Sequence, residues 1–431
     1  MSGEVVIDLG ERPRGPEPEP VPGRPRPPAR WWRVALPLLL ALGTLTAGAA
    51  PPTGPPTVTV PATDPADFLP LGDRLLVLQG LLPTDGTARE LVAYRLPGGE
   101  PLWRRALPDD DVPMGVSVHG DLVLVSTSSP DGDDASTSAL TLDAGELRWQ
   151  RPGRALPVAG GGVLLETHRP GPGHTVRAVD PATGEPGWAV PVAAEGFAAY
   201  RYAGGGVDLV AAVSPAGRVE LYDPATGARL GAADLPRVGP AGNRYLELIG
   251  DVLLVGDGAG GIAGYEVPSL RRRWALPPDP QTGWASPCGP GICLHRPDAG
   301  VRVVDPATGR TRWADPRWSH LVVVGDRLLA EAGRPDDRED RPLTVLDPAT
   351  GRVLGELGRW QALWEWPAAQ PRYGLRRLAD GRMLLAELDI AAARARVLTV
   401  LPSWARRCGA QAGTLVCQAP GNTLRIWHLP R

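Results

Sequence analysis

Asp180-Pro181-Ala182-Thr183-Gly184 returns as Asp223-Pro224-Ala225-Thr226-Gly227, Asp305-Pro306-Ala307-Thr308-Gly309 and Asp347-Pro348-Ala349-Thr350-Gly351. The aspartates stand 43, 82 and 42 residues apart. The double gap holds a decayed copy, Gly264-Tyr265-Glu266-Val267-Pro268-Ser269-Leu270, with Glu266 at the aspartate position, and the spacings become 43, 43, 39 and 42. Three residues of the pentad have turn-making roles. The carboxylate bonds nearby backbone, proline presets φ, and glycine supplies a positive φ. A β-rich run precedes each turn, as in Thr175–Val179 and Arg218–Tyr222. A tryptophan follows eight residues after the key position at Trp188, Trp274 and Trp313. Upstream, Trp103 keeps that offset from Arg95, and Trp149 keeps it from Asp143 with two residues deleted.

A period near 40 residues is the signature of a repeat fold. Each unit also has a short apolar run, such as Leu122–Val125 or Val252–Val255, and a less regular stretch before the next unit. Four antiparallel strands in that length make one propeller blade. The expectation is therefore an all-β chain, a β-propeller of four-stranded antiparallel blades. The repeat positions fall near Arg95, Asp143, Asp180, Asp223, Glu266, Asp305, Asp347, Pro402 and His428. The last interval is too short for a blade, so eight blades are expected, with seven the alternative. The final blade is closed by an N-terminal strand near Thr57–Val60. A large aromatic at a fixed place in each blade reads as packing between blades. That accounts for 14 tryptophans beside 2 phenylalanines and 7 tyrosines.

The Asp-x-x-Thr-Gly-x-x-x-Trp unit resembles the tryptophan-containing repeat of the pyrroloquinoline-quinone-like propellers, across about Phe68 to Arg431. That group includes quinoprotein alcohol dehydrogenases and BamB-like non-enzymatic assembly factors, so the resemblance implies the fold and leaves activity open. The dehydrogenases often carry adjacent cysteines over the cofactor. Here no two cysteines are adjacent, which argues against a quinone enzyme, and no cofactor is expected.

Met1–Arg30 is rich in proline and reads as a disordered cytoplasmic tail. Trp31-Trp32-Arg33 and the uncharged run Val34–Ala50 follow. The run reaches about 25 Å as a helix, and interfacial tryptophans and a snorkelling arginine extend it. Residues 31–50 are therefore read as a transmembrane anchor. Arg24, Arg26, Arg30 and Arg33 precede it and the first charge after it is Asp64, which keeps the N-terminus cytoplasmic and the propeller outside. The competing reading is a signal peptide cleaved after Ala47-Gly48-Ala49, which releases a secreted protein. Residues 51–65, with proline and threonine, read as a stalk, and 66–431 as the propeller.

Cys288 and Cys293 flank one glycine-containing turn, and Cys408 and Cys417 another. Three connectivities are open to four cysteines, and two local hairpin disulfides in an oxidising compartment are the natural reading. The six histidines, His119, His168, His174, His295, His320 and His428, are scattered without metal-ligand spacing. No catalytic residue or metal site is assigned. Asp131–Asp134 and Asp336–Asp340 read as solvated acidic loops. The net charge is −3, every basic residue is arginine, and no basic block recurs, so no nucleic-acid partner is expected. Trp360, Trp364 and Trp366 cluster outside the repeat position and are a candidate interaction patch. The function expected is a non-catalytic protein-interaction or scaffolding module with a partner in the cell envelope. The alternatives are a quinone-dependent dehydrogenase and a ligand-binding sensor ectodomain.

Overall fold

The computed structural model describes residues 57–81, 88–108, 111–129, 135–167, 174–235, 246–256, 261–279, 281–332, 341–365, 370–411 and 413–429. All regular structure in them is β, in antiparallel meanders. Long apolar runs become the strands buried on both faces. Leu122–Ser128, Val252–Gly256 and Thr414–Ala419 are shielded along nearly their whole length, as expected for a continuous hydrophobic run of strand length.

Among the described residues the hydrogen-bonded sheets number eight, seven of four strands and one of seven. The seven-stranded sheet is two four-stranded meanders that share the strand Val353–Glu365. Trp360 of that strand pairs with Arg341, and the next residue, Gln361, pairs with Leu375 of the following meander. Counted as sheets the number is the eight expected; counted as meanders it is nine. In chain order the blades are residues 67–106, 112–152, 154–192, 197–234, 246–276, 284–315, 318–360, 361–401 and 406–428. They are numbered 1 to 9 below.

The discrepancy arises at blade 8. Its turn falls between Met383–Asp389 and Arg394–Leu401, well before Pro402. That turn has lost the proline, threonine and glycine of the repeat, so the sequence offered a false landmark. Blade 2 is a second correction. The amide of Gly145 bonds the carbonyl of Thr141, as Gly184 bonds Asp180 in blade 3. Thr141, not Asp143, is the key position, and Trp149 keeps its offset of eight with no deletion.

Nine apolar clusters lie one between each pair of consecutive blades. One joins Leu363, Tyr373 and Leu385 of blade 8 to Ala410, Leu415 and Trp427 of blade 9. Another joins Val416, Leu424 and Ile426 of blade 9 to Leu75, Val77 and Val92 of blade 1, which closes the ring. Thr57–Pro61 completes blade 9 by pairing with Thr423–Trp427, in register from Thr57 opposite Trp427 to Pro61 opposite Thr423. The expected closing strand is therefore present, and residues 57–61 of the stretch read as a stalk are sheet. Residues 1–56, with the tail, the anchor and residues 51–56 of the stalk, lie outside the described residues. No helix among the described residues is long and apolar enough to cross a membrane.

Candidate functional site

The repeat residues come first, because they show which positions are spent on the scaffold. In each pentad the aspartate Oδ1 accepts two backbone amides and the threonine hydroxyl, as Asp223 does from Ala225, Thr226 and Thr226 Oγ1. Asp180, Asp305 and Asp347 repeat the pattern. These bonds favour the charged carboxyl and hold all four below the usual carboxylate range. The Thr183 amide leads at Asp180, the Thr226 hydroxyl at Asp223, Arg312 at Asp305 and the Thr350 hydroxyl at Asp347. A carboxyl with a depressed folded value contributes stability above its unfolded value and loses it as pH falls through the folded one. Denaturant midpoints are accordingly expected to fall below about pH 4, and Asp223→Ala is expected to cost about 1 kcal/mol at pH 7 while removing its share of the acid dependence. An unchanged acid limb in the variant would refute the assignment.

The repeat tryptophans pack blade on blade. Trp103, Trp149, Trp188, Trp274 and Trp313 each lie under a glycine of the next blade's turn, namely Gly145, Gly184, Gly227, Gly309 and Gly351. A Cβ on those glycines would fall 2.4 to 2.8 Å from the indole, and all five have φ between 67° and 72°. The indole N–H of Trp149, Trp274 and Trp313 also donates to the turn proline carbonyls of Pro181, Pro306 and Pro348. Two interfaces invert the pair. Blade 4 has Gly231 at the tryptophan position, and the facing turn carries Leu270 at φ 54°, buried in the joint cluster. Blade 7 has Gly355, faced by Ala393 at φ 49°. Where the large residue is missing on one side, the side chain sits on the other.

Cys288–Cys293 and Cys408–Cys417 are disulfides within hairpins of blades 6 and 9, with Cα separations of 5.3 and 4.1 Å. Of the candidate tryptophan patch, only the Trp360 side chain is described. Trp360 is only 3% exposed, inside the cluster between blades 7 and 8, because it stands where the continuous strand Val353–Glu365 passes from one blade into the next. Its indole donates to Leu357 and lies under Arg376. The Trp364 side chain and all of Trp366 lie outside the described residues, as do His168, residues 131–134 and the acidic loop 336–340.

The histidines are less scattered in space than along the chain. His295 is fully buried, stacks on Trp284 with centroids 4.7 Å apart, and meets His320 of blade 7 at 5.5 Å. Ser286 Oγ lies 2.8 Å from His295 Nε2. Burial first, and then the neighbouring His320, push the His295 imidazole down to about 4. Burial also lowers His320, partly offset by Glu331, which is itself paired with Arg341 at 2.9 Å. Three strands of two blades build this cluster, so no linear motif reveals it. Among the described residues no group of three potential ligands is placed to hold a metal. His119 accepts the Gly162 amide, a structural role.

A cleft of about 910 Å³ opens between blades 7 and 8 at the end that carries the repeat turns. Asp326 and Arg327, paired with each other, line it from blade 7, and Arg372, Glu387, Asp389, Arg394 and Arg396 from blade 8. Glu387 takes both Arg372, at 3.4 Å, and Arg396, at 2.6 Å. Arg394 is exposed and has no carboxylate partner among the described residues. The bonds from the two arginines hold Glu387 below the usual carboxylate range, with Arg396 the larger cause. Guanidinium groups outnumber carboxylates here on a solvent-open wall. The arrangement suits recognition of acidic groups; it offers no nucleophile paired with a base.

No curated protein matches the chain. Among solved structures it is similar to BamB from Moraxella catarrhalis, at TM-score 0.44 and 16% identity over 87% of this chain and 97% of that one. It is also similar to the computationally designed Ika8 protein, at 0.46 and 15% over 74% and 97%, and to the C-terminal WD40 domain of Sif2, at 0.42 and 10% over 87% and 97%. Residues 172–319, which hold three of the four Asp-Pro-Ala-Thr-Gly turns, match the family model described as outer membrane protein assembly factor BamB.

Proposed function

We propose that this protein is a membrane-anchored, extracytoplasmic β-propeller that acts as a non-catalytic protein-interaction or scaffolding module. The observation that carries the reading is the arginine-lined cleft between blades 7 and 8, on a ring whose repeat aspartates and tryptophans are otherwise committed to turns and blade packing. Arginine is enriched at protein interfaces, and an assembly factor is what the matched family model describes. The anchor and orientation rest on the apolar run 34–50 and the arginines before it, and two disulfides fit an oxidising compartment.

Two measurements test this. A photo-crosslinking residue at Ala391, on the cleft rim, is expected to trap the same envelope proteins reproducibly in cells, whereas one at Arg105 of blade 1 is not. No protein adduct from either position, in folded membrane-resident protein, overturns the reading. Alkaline carbonate is expected to leave the full-length protein in the membrane pellet; release into the wash overturns the anchor.

A further inference from the structure

We infer that the outer strand of blade 8, Arg394–Leu401, together with the cleft beside it, accepts an extended segment of a partner protein that alternates acidic and apolar side chains and adds to the blade as a fifth strand. The inference rests on the protein-interaction reading above and names the chemistry of the partner.

An outer strand presents unpaired backbone groups, and proteins blunt such edges by keeping them short or interrupting them. Every other outer strand here is managed in that way. Arg272–Leu276, Thr311–Asp315 and Thr57–Pro61 have five residues each. Pro101–Ala106, Leu147–Pro152 and Pro186–Val192 contain proline, and Arg229–Asp234 and Val353–Glu365 contain glycine. Arg394–Leu401 is eight residues, Arg-Ala-Arg-Val-Leu-Thr-Val-Leu, with neither, and its one interruption is the bulge at Leu398, of a kind it shares with seven of the other outer strands. Four of its residues are β-branched or leucine in succession from Val397 to Val400, and Val397 and Val400 are 51% and 43% exposed. It is the blade edge best suited to strand addition.

Charge selects the partner. Arg394 and Arg396 belong to this strand, and Arg372 and Arg327 face the same cleft. Their ion pairs are solvent-exposed: Arg396 is 69% exposed and Arg372 45%. Exposed pairs contribute little, so an incoming carboxylate can replace Glu387 at small cost, and Arg394 has none to surrender. A strand bearing lysines meets four guanidinium groups against three carboxylates, of which Asp326 and Glu387 are already paired with arginine, and is disfavoured. Main-chain bonds supply the affinity and the arginines the selection, as in strand addition generally.

The test uses the full-length protein in detergent and a fluorescent peptide of about ten residues alternating glutamate and valine. Saturable binding is expected, weakened at least tenfold by Arg394→Glu with Arg396→Glu and weakened by salt. The lysine–valine counterpart is expected not to bind the native protein and to gain binding to that double variant, a gain that misfolding does not produce. The same acidic peptide with alternate backbone nitrogens methylated is expected to lose binding. Equal binding of acidic and basic peptides, retained binding by the methylated peptide, or no response to the charge reversal each overturns the inference. If the peptides fail while Ala391 still traps partners, strand addition falls and the interaction reading stands; if the Ala391 adducts are also absent, both fall.

Discussion

Trp149→Ala is expected to lower the unfolding free energy by about 3–5 kcal/mol, the range for deleting a buried tryptophan. The indole is 4% exposed between blades 2 and 3 and donates to Pro181 at 2.7 Å. The cost includes the cavity left against Gly184, because the turn above it is held by its own hydrogen bonds and does not collapse into the gap. Gly184→Ala is expected to cost about 2–4 kcal/mol, combining a left-handed backbone with overpacking. Its Cβ would fall 2.6 Å from Trp149 Cγ, at φ 69°. Combining the two separates the terms. Once the indole is gone the steric part of Gly184→Ala disappears and only the backbone strain of roughly 1 kcal/mol remains, so the double variant is expected to be less destabilised than the sum. Strict additivity in a denaturant-unfolding cycle would mean that the tryptophan and the glycine do not press on each other.

The second large effect is set by pH. The His295 imidazole titrates at about 4 in the folded protein against 6.5 ordinarily. Between those values the unfolded chain takes up a proton that the folded one refuses. The contribution is therefore complete above pH 6.5 and is lost as pH falls toward 4, by about 3 kcal/mol in all. The groups that face this imidazole are Trp284, Ser286 and His320, with Glu331 and Arg341 behind His320. The lowering of His320 acts in the same direction. His295→Gln is expected to flatten the decline of the urea midpoint between pH 6.5 and 4 while leaving the aspartate-driven loss below pH 4. A variant that keeps the full decline would place the responsible proton elsewhere.

Both effects bear on how much of the molecule was legible in the chain. The Asp-Pro-Ala-Thr-Gly turns and the tryptophans spaced from them were readable because one local rule, turn chemistry, and one packing partner recur at a constant offset. Blade 8 was not, since its turn keeps Asp389 but puts Ala393 where the others have glycine. With Gly355 in the tryptophan place across the interface, neither half of the signature survives, although the pair still packs. The same inversion at Gly231 and Leu270 left a decayed copy that spacing alone rescued. Thr141 shows the converse, a turn intact in geometry whose first residue changed identity and was mistaken for a deletion. The Trp284–His295–His320 cluster and the cleft arginines follow no period at all. They are brought together by the order of blades around the ring, and that order appears only when the ring is built. Trp360 was misjudged because a tryptophan off the repeat position was taken to be off the core.

The closure of blade 9 by Thr57–Pro61 has a consequence for synthesis. The segment that seals the ring leaves the ribosome before any blade does, and the strand it seals against follows only after eight blades. Until Thr423–Trp427 has been made, the early segment has nowhere to dock and the growing array keeps two open ends. A product that stops before that strand is left with an unsealed ring and an unpaired edge. Completeness of the ring is thus read out by the architecture itself, in one step, at the moment Thr57–Pro61 finds Thr423–Trp427.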